Sequence, residues 1–219
     1  MPIWIKICGN TSLADTLLAV DAGADAVGFV FAPSPRRVTA TEVAAITPHL
    51  PAAIEKIGVF VDAPLEEICR TVRECNLTGV QLHSEAGPEL PEALRRQLGF
   101  GLRILRVVHF GPQAGEQAAA IAQDPHVDGV LVDSRTATAV GGTGVAFDWT
   151  TARATVFGEA RPLKLIAAGG LGPANVRQAI AMLQPWGVDV VSGVESAPGR
   201  KDPAKVREFV ARARVKKRI

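Results

Sequence analysis

This 219-residue chain contains no CxxC or HExxH spacing, so a resident metal has no recognisable set of ligands and none is expected. Cysteine is scarce. The three present are an odd number, which excludes a complete disulfide framework, and Cys69 and Cys75 lie six apart on a helical segment, off a common face. No uncharged apolar run approaches the roughly 18 residues that cross a bilayer, so no membrane partner is expected. The amino terminus enters a strand at once, without the layout of a signal peptide, and the expected location is the cytoplasm. The formal net charge of +2 is too small to imply nucleic acid. What remains is abundant apolar residue, 47% of the chain, in a length suited to one α/β barrel domain over residues 1–219.

Apolar, β-branched runs alternate with segments of helical period. The runs are Ile3–Cys8, Asp25–Phe31, Lys56–Val61, Gly79–His83, Leu102–Val108, Val127–Asp133, Leu163–Ala168 and Val188–Ser192. Several are continuously aliphatic, as expected of parallel strands covered by helices. Between them, Ser12 caps a helix stopped by Gly23, and Thr39 precedes a helix that runs to Leu50. Pro64, Pro88, Pro112, Pro173 and Pro203 sit at helix starts, and Asp148 and Asp202 serve as caps. Eight such units predict a closed (β/α)8 TIM barrel. The rival, a doubly wound open sheet, usually carries fewer strands and a Gly-rich turn after strand one, where this chain has Gly9-Asn10-Thr11.

Strand parity then sorts side chains. In strand one, Trp4, Lys6 and Cys8 share the inner face, and Ile3, Ile5 and Ile7 pack under helices. In strand six, Leu131 and Asp133 point inward; in strand four, Gln81 and His83 do so. Cys8, Asp133 and His83 therefore collect at the carboxyl-end mouth, where barrel active sites form. A thiolate and a carboxylic acid facing each other there make a base–acid pair that requires no cofactor. The bland alternatives are a buried cysteine, a capping aspartate and a rim histidine.

Two glycine turns, Ala168-Gly169-Gly170-Leu171-Gly172-Pro173 and Ser192-Gly193-Val194-Glu195, follow the last two strands. Their backbone amides suit a phosphate. Gly141-Gly142-Thr143-Gly144 follows strand six as a flap or a third contact. Arg36-Arg37, in the loop after strand two, offers a guanidinium to a carboxylate at the other end of the mouth. The basic tail Arg212–Arg218 fits a helix carboxyl end better than nucleic acid.

These residues resemble the phosphoribosylanthranilate isomerase family over nearly the whole chain. The markers are Lys6-Ile7-Cys8-Gly9, Gly23–Phe31 with Ser34-Pro35-Arg36-Arg37, Gly79–His83, Val132-Asp133, Ala168–Leu171 with Pro173–Val176, and Ser192–Glu195 with Pro198-Gly199. The resemblance implies an Amadori rearrangement of phosphoribosylanthranilate, with Cys8 as general base and Asp133 as general acid. It also implies that Arg37 binds the anthranilate carboxylate and that Gly170, Ser192 and Gly193 hold the phosphate. Asp189 matches a family aspartate near that end. Val191 stands where a serine often precedes Ser192, and Ser84 where glycine usually follows the histidine; both departures bear on affinity. Lys6 is expected to favour the Cys8 thiolate, while Asp133 must hold a proton. The alternatives are a dual-substrate isomerase that also serves histidine biosynthesis and a phosphosugar-binding barrel without catalysis. A monomer and a homodimer are equally compatible with the sequence.

Overall fold

The computed structural model describes residues 2–83, 87–133, 149–158 and 163–215. Eight parallel strands, β1 (Trp4–Ile7), β2 (Ala26–Val30), β3 (Glu55–Val61), β4 (Gly79–His83), β5 (Arg103–His109), β6 (Gly129–Asp133), β7 (Lys164–Ala168) and β8 (Gly187–Val190), close into a barrel in chain order. The helices between them are α1 (Leu13–Asp21), α2 (Ala40–Ile46), α3 (Leu65–Glu74), α4 (Glu89–Leu98), α5 (Ala114–Ile121), α6 (Trp149–Thr155) and α7 (Val176–Leu183). After β8 comes a short hairpin, β9 (Glu195–Ala197) and β10 (Arg200–Lys201), and then α8 (Pro203–Arg214).

Parity divides the core as expected. Trp4, Ala26, Ile57, Leu105, Leu131, Ile166 and Ala168 fill the barrel interior. Ile5, Ile7, Val27, Phe29, Val80, Leu82, Val130 and Val132 face outward into the layer under the helices. Each fully buried aliphatic side chain contributes about 1.5–3 kcal/mol, so a one-residue slip of any strand, which would swap its faces, is strongly disfavoured. Closure comes from β1 against β8, with Lys6 opposite Asp189.

Helix starts follow the local chemistry. Ser12 caps α1 through Asp15 N, Thr39 and Glu42 form a reciprocal capping box on α2, and Asp202 accepts from Ala204 N and Lys205 N at α8. Asp148 lies outside the described residues. The second helix ends sooner than expected: α2 stops at Ile46 and a 3-10 turn covers Thr47–His49. Pro48 is the reason, because it has no N–H and its ring clashes with the preceding turn. The last strand also ends early, at Val190. Val191 leaves the extended region (φ −124°, ψ −88°), and Ser192–Val194 forms a 3-10 turn.

Candidate active site

Cys8 follows β1 by one residue, on the inner face set by Trp4 and Lys6, and is 3% exposed. The turn after it is pinned by buried Asn10, whose Nδ2 donates to Ile7 O at 2.8 Å and to Gly28 O at 3.2 Å. Asp133 ends β6, inward like Leu131, and is likewise 3% exposed. In the closed order β6-β7-β8-β1, two strands separate them at the same mouth.

Beneath the mouth lies a polar line. Lys6, fully buried, donates from Nζ to Asp189 Oδ1 at 2.9 Å and to Gln81 Oε1 at 2.8 Å. The Gln81 Nε2 lies 3.0 Å from His83 Nε2. The His83 ring in turn approaches that of His109, with centroids 5.9 Å apart. Burial alone would lower the Lys6 pKa, but the Asp189 carboxylate and Cys8 more than offset it, so Lys6 stays firmly charged. The Cys8 thiol is pushed up by burial, pulled down by Lys6 and raised further by Asp189. The sum is a rise, so the expectation that Lys6 favours the thiolate is met in direction but outweighed by desolvation.

The arginine pair splits. Arg36 grips buried Glu195 with Nε (2.8 Å) and Nη2 (2.6 Å), while Arg37 is exposed, with no side-chain partner among the described residues. Glu195 also pairs with Lys201 (3.1 Å), whose Nζ donates to the Cys8 carbonyl at 2.6 Å. Burial alone would raise the Glu195 carboxyl, but the Arg36 hydrogen bond and the Lys201 charge hold it below its usual range.

The two glycine turns abut. Gly169 and Gly170 adopt φ of +81° and +61°, which only glycine takes readily. Asn175 ties that turn, accepting from Gly172 N and donating to Gly170 O. A Cβ on Gly193 would overlap the Leu171 carbonyl. Gly170 and Ser192 are exposed beside this contact. Val191 packs on Gly9, where a Cβ would meet it at 3.1 Å. The Gly141–Gly144 segment and Ser84 lie outside the described residues. Cys69 and Cys75 are buried, and burial pushes the Cys75 thiol up to about 11, so neither has the character of a nucleophile.

The sequence reading missed His109, Gly28 and the Arg36–Glu195–Lys201 cluster. His109 was within reach: extending strand five by one residue places it on the inner parity with Leu105 and Val107. The ion cluster joins positions 159 residues apart, and no local pattern signals it.

A parallel barrel with Cys8 and Asp133 buried at the carboxyl-end mouth, beside two apposed glycine turns, is a (β/α)8 barrel of the ribulose-phosphate-binding type. The family model for N-(5'-phosphoribosyl)anthranilate (PRA) isomerase matches residues 5–212, and the chain belongs to that family. It is 45% identical to the N-(5'-phosphoribosyl)anthranilate isomerase of Geobacter sulfurreducens over 212 residues, covering 96% of this chain and 98% of that one. A crystal structure of a phosphoribosyl anthranilate isomerase in complex with reduced 1-(o-carboxyphenylamino)-1-deoxyribulose 5-phosphate superposes with a TM-score of 0.80 at 33% identity, covering 96% and 98% of the two chains. The structure of mutually generated monomers of the dimeric enzyme from Thermotoga maritima gives 0.78 at 32% identity, with the same coverage.

Proposed function

We propose that the mouth of the barrel rearranges its substrate with Cys8 as general base and Asp133 as general acid. The chain is an isomerase of phosphoribosylanthranilate in tryptophan biosynthesis. Protonated Asp133 donates to the ribose ring oxygen, and the furanose opens to a Schiff base. The Cys8 thiolate then takes the proton from C2 of the sugar, and the enolamine that results becomes the ketone of 1-(2-carboxyphenylamino)-1-deoxyribulose 5-phosphate. The observation that carries this reading is the burial of both groups at the ends of β1 and β6, on inner-face positions of one mouth.

The substrate's two anions orient it. Its phosphate meets the amides of Gly170 and Gly193 and the hydroxyl of Ser192, and its carboxylate meets Arg37. His83 borders the mouth through Gln81. The whole chain, 1–219, acts as one catalytic barrel in the reducing cytoplasm, as a monomer or a homodimer; sedimentation equilibrium distinguishes the two.

General acid–base groups contribute about 10² to 10⁴-fold each. Cys8→Ser and Asp133→Asn should therefore lose turnover on that scale while still binding the product. Near-wild-type turnover of phosphoribosylanthranilate by either variant would sink the assignment. Turnover of the corresponding histidine-pathway aldose by the same preparation would establish the dual-substrate alternative. Ligand binding without isomerisation by the unmodified chain would establish the non-catalytic one.

A further inference from the structure

Lys6 is among the largest fully buried side chains of the described residues, inside a barrel whose interior is otherwise mostly apolar. An apolar residue would serve packing better, so a cation there calls for another role. Its surroundings supply one. A Cβ built on Gly28 would meet Cys8 Sγ at 2.5 Å and Lys6 Cε at 2.9 Å. The thiol and the end of the lysine stem thus lie side by side, over the place where β2 carries no side chain. Asp189, opposite Lys6 in the β1–β8 register, accepts one hydrogen bond from the ammonium, and Gln81 Oε1 accepts a second.

We propose that Lys6 is a positioning residue that holds a positive charge beside Cys8, and that Asp189 sets how much of that charge the thiolate receives. The proposal rests on Cys8 being the base. Gln81 fixes the direction of the ammonium. Because lysine only donates, the Gln81 oxygen faces it and the amide nitrogen donates to His83 Nε2. The other charged groups around Cys8 are accounted for. Lys201 reaches its carbonyl but is paired with Glu195, which Arg36 also holds, and Asp133 lies two strands away.

The chain has no tyrosine, so no tyrosinate obscures a thiolate titration followed by ultraviolet absorbance. Subtracting the Cys8→Ser protein removes Cys69 and Cys75 and leaves Cys8 alone. The midpoint should rise in Lys6→Met and fall in Asp189→Asn. Turnover of Lys6→Met at neutral pH should drop about tenfold or more and recover as the pH is raised, with KM little changed. A midpoint unmoved in both variants overturns the proposal. If Lys6→Met does not fold, Asp189→Asn decides, and an unmoved or raised midpoint overturns it equally. Retained turnover in Cys8→Ser would instead overturn the assignment of the base, and the titration would still report the coupling of Lys6 to Cys8.

Discussion

Arg36 and Glu195, 159 positions apart, meet in a two-point ion pair that fastens the loop after β2 to the hairpin after β8. Lys201 completes the cluster and carries it to the Cys8 carbonyl. Glu195→Ala leaves two cations buried or half-buried without their anion. The expected loss is about 3–5 kcal/mol in a urea unfolding measurement, the usual cost of breaking a buried pair. The sign with pH follows from the depressed Glu195 carboxyl. Its contribution is complete above the carboxyl's ordinary range and is lost as the pH falls through the lower, folded-state value. Wild type should therefore lose more stability on acidification than Glu195→Gln does. Equal acid profiles would remove the cluster from the stability of the fold.

Arg37, one residue further on, behaves oppositely. It is exposed and carries no ion pair among the described residues, so Arg37→Ala should leave the unfolding midpoint unchanged. Losing charge-assisted hydrogen bonds worth about 1.5–3 kcal/mol should raise KM by about tenfold to a hundredfold, with kcat less affected. The assignment fails if KM stays put.

The pairing of Arg36 with Glu195 was illegible in the local sequence, where the two arginines are adjacent and chemically identical, and only the family resemblance singled out Arg37. Their exposures are set by Glu195, which arrives from the far end of the chain. The barrel itself was legible, because period-2 patterning and caps such as Ser12, Thr39 and Asp202 are local. The same parity placed Cys8 and Asp133. Among the boundaries that differ, two have equally local reasons, Pro48 inside an expected helix and the departure of Val191 from extended geometry. The charge state of Cys8 was not accessible, because it depends on the balance between burial, the nearby Lys6 and two charges, Asp189 and Lys201, that arrive from the far end of the chain.

That balance predicts a pH–rate profile. Burial keeps the thiol above its ordinary range, so at neutral pH only a small fraction is thiolate. If Cys8 is the base, the residual kcat/KM of Asp133→Asn, in which no acid limb remains, should climb about tenfold per pH unit through neutrality and level off only on the alkaline side of the ordinary thiol range. A flat profile from neutral pH upward in that variant would mean that substrate-free Cys8 is already ionised or is not the base.

Gly28 tests whether the site depends on the space beside Cys8. An alanine there would place its Cβ 2.5 Å from Cys8 Sγ and 3.1 Å from Cys8 Cα, and backbone cannot yield as a flexible side chain can. Overpacking of this kind costs about 1–3 kcal/mol of stability. A displacement of about 1 Å at a reacting group costs about a hundredfold in rate. Gly58, on the outer face of β3, provides the control, because its Cβ would meet Leu77 Cδ1 at 2.7 Å and the Phe60 ring at 2.8 Å, under the helices. Gly28→Ala and Gly58→Ala should both lose stability, the second less because it strikes only side-chain ends, and only the first should lose turnover. Equal losses of turnover would trace the effect to general loosening of the barrel. A loss confined to Gly28→Ala would place it at the thiol, since the two variants share the steric insult and differ in what it strikes.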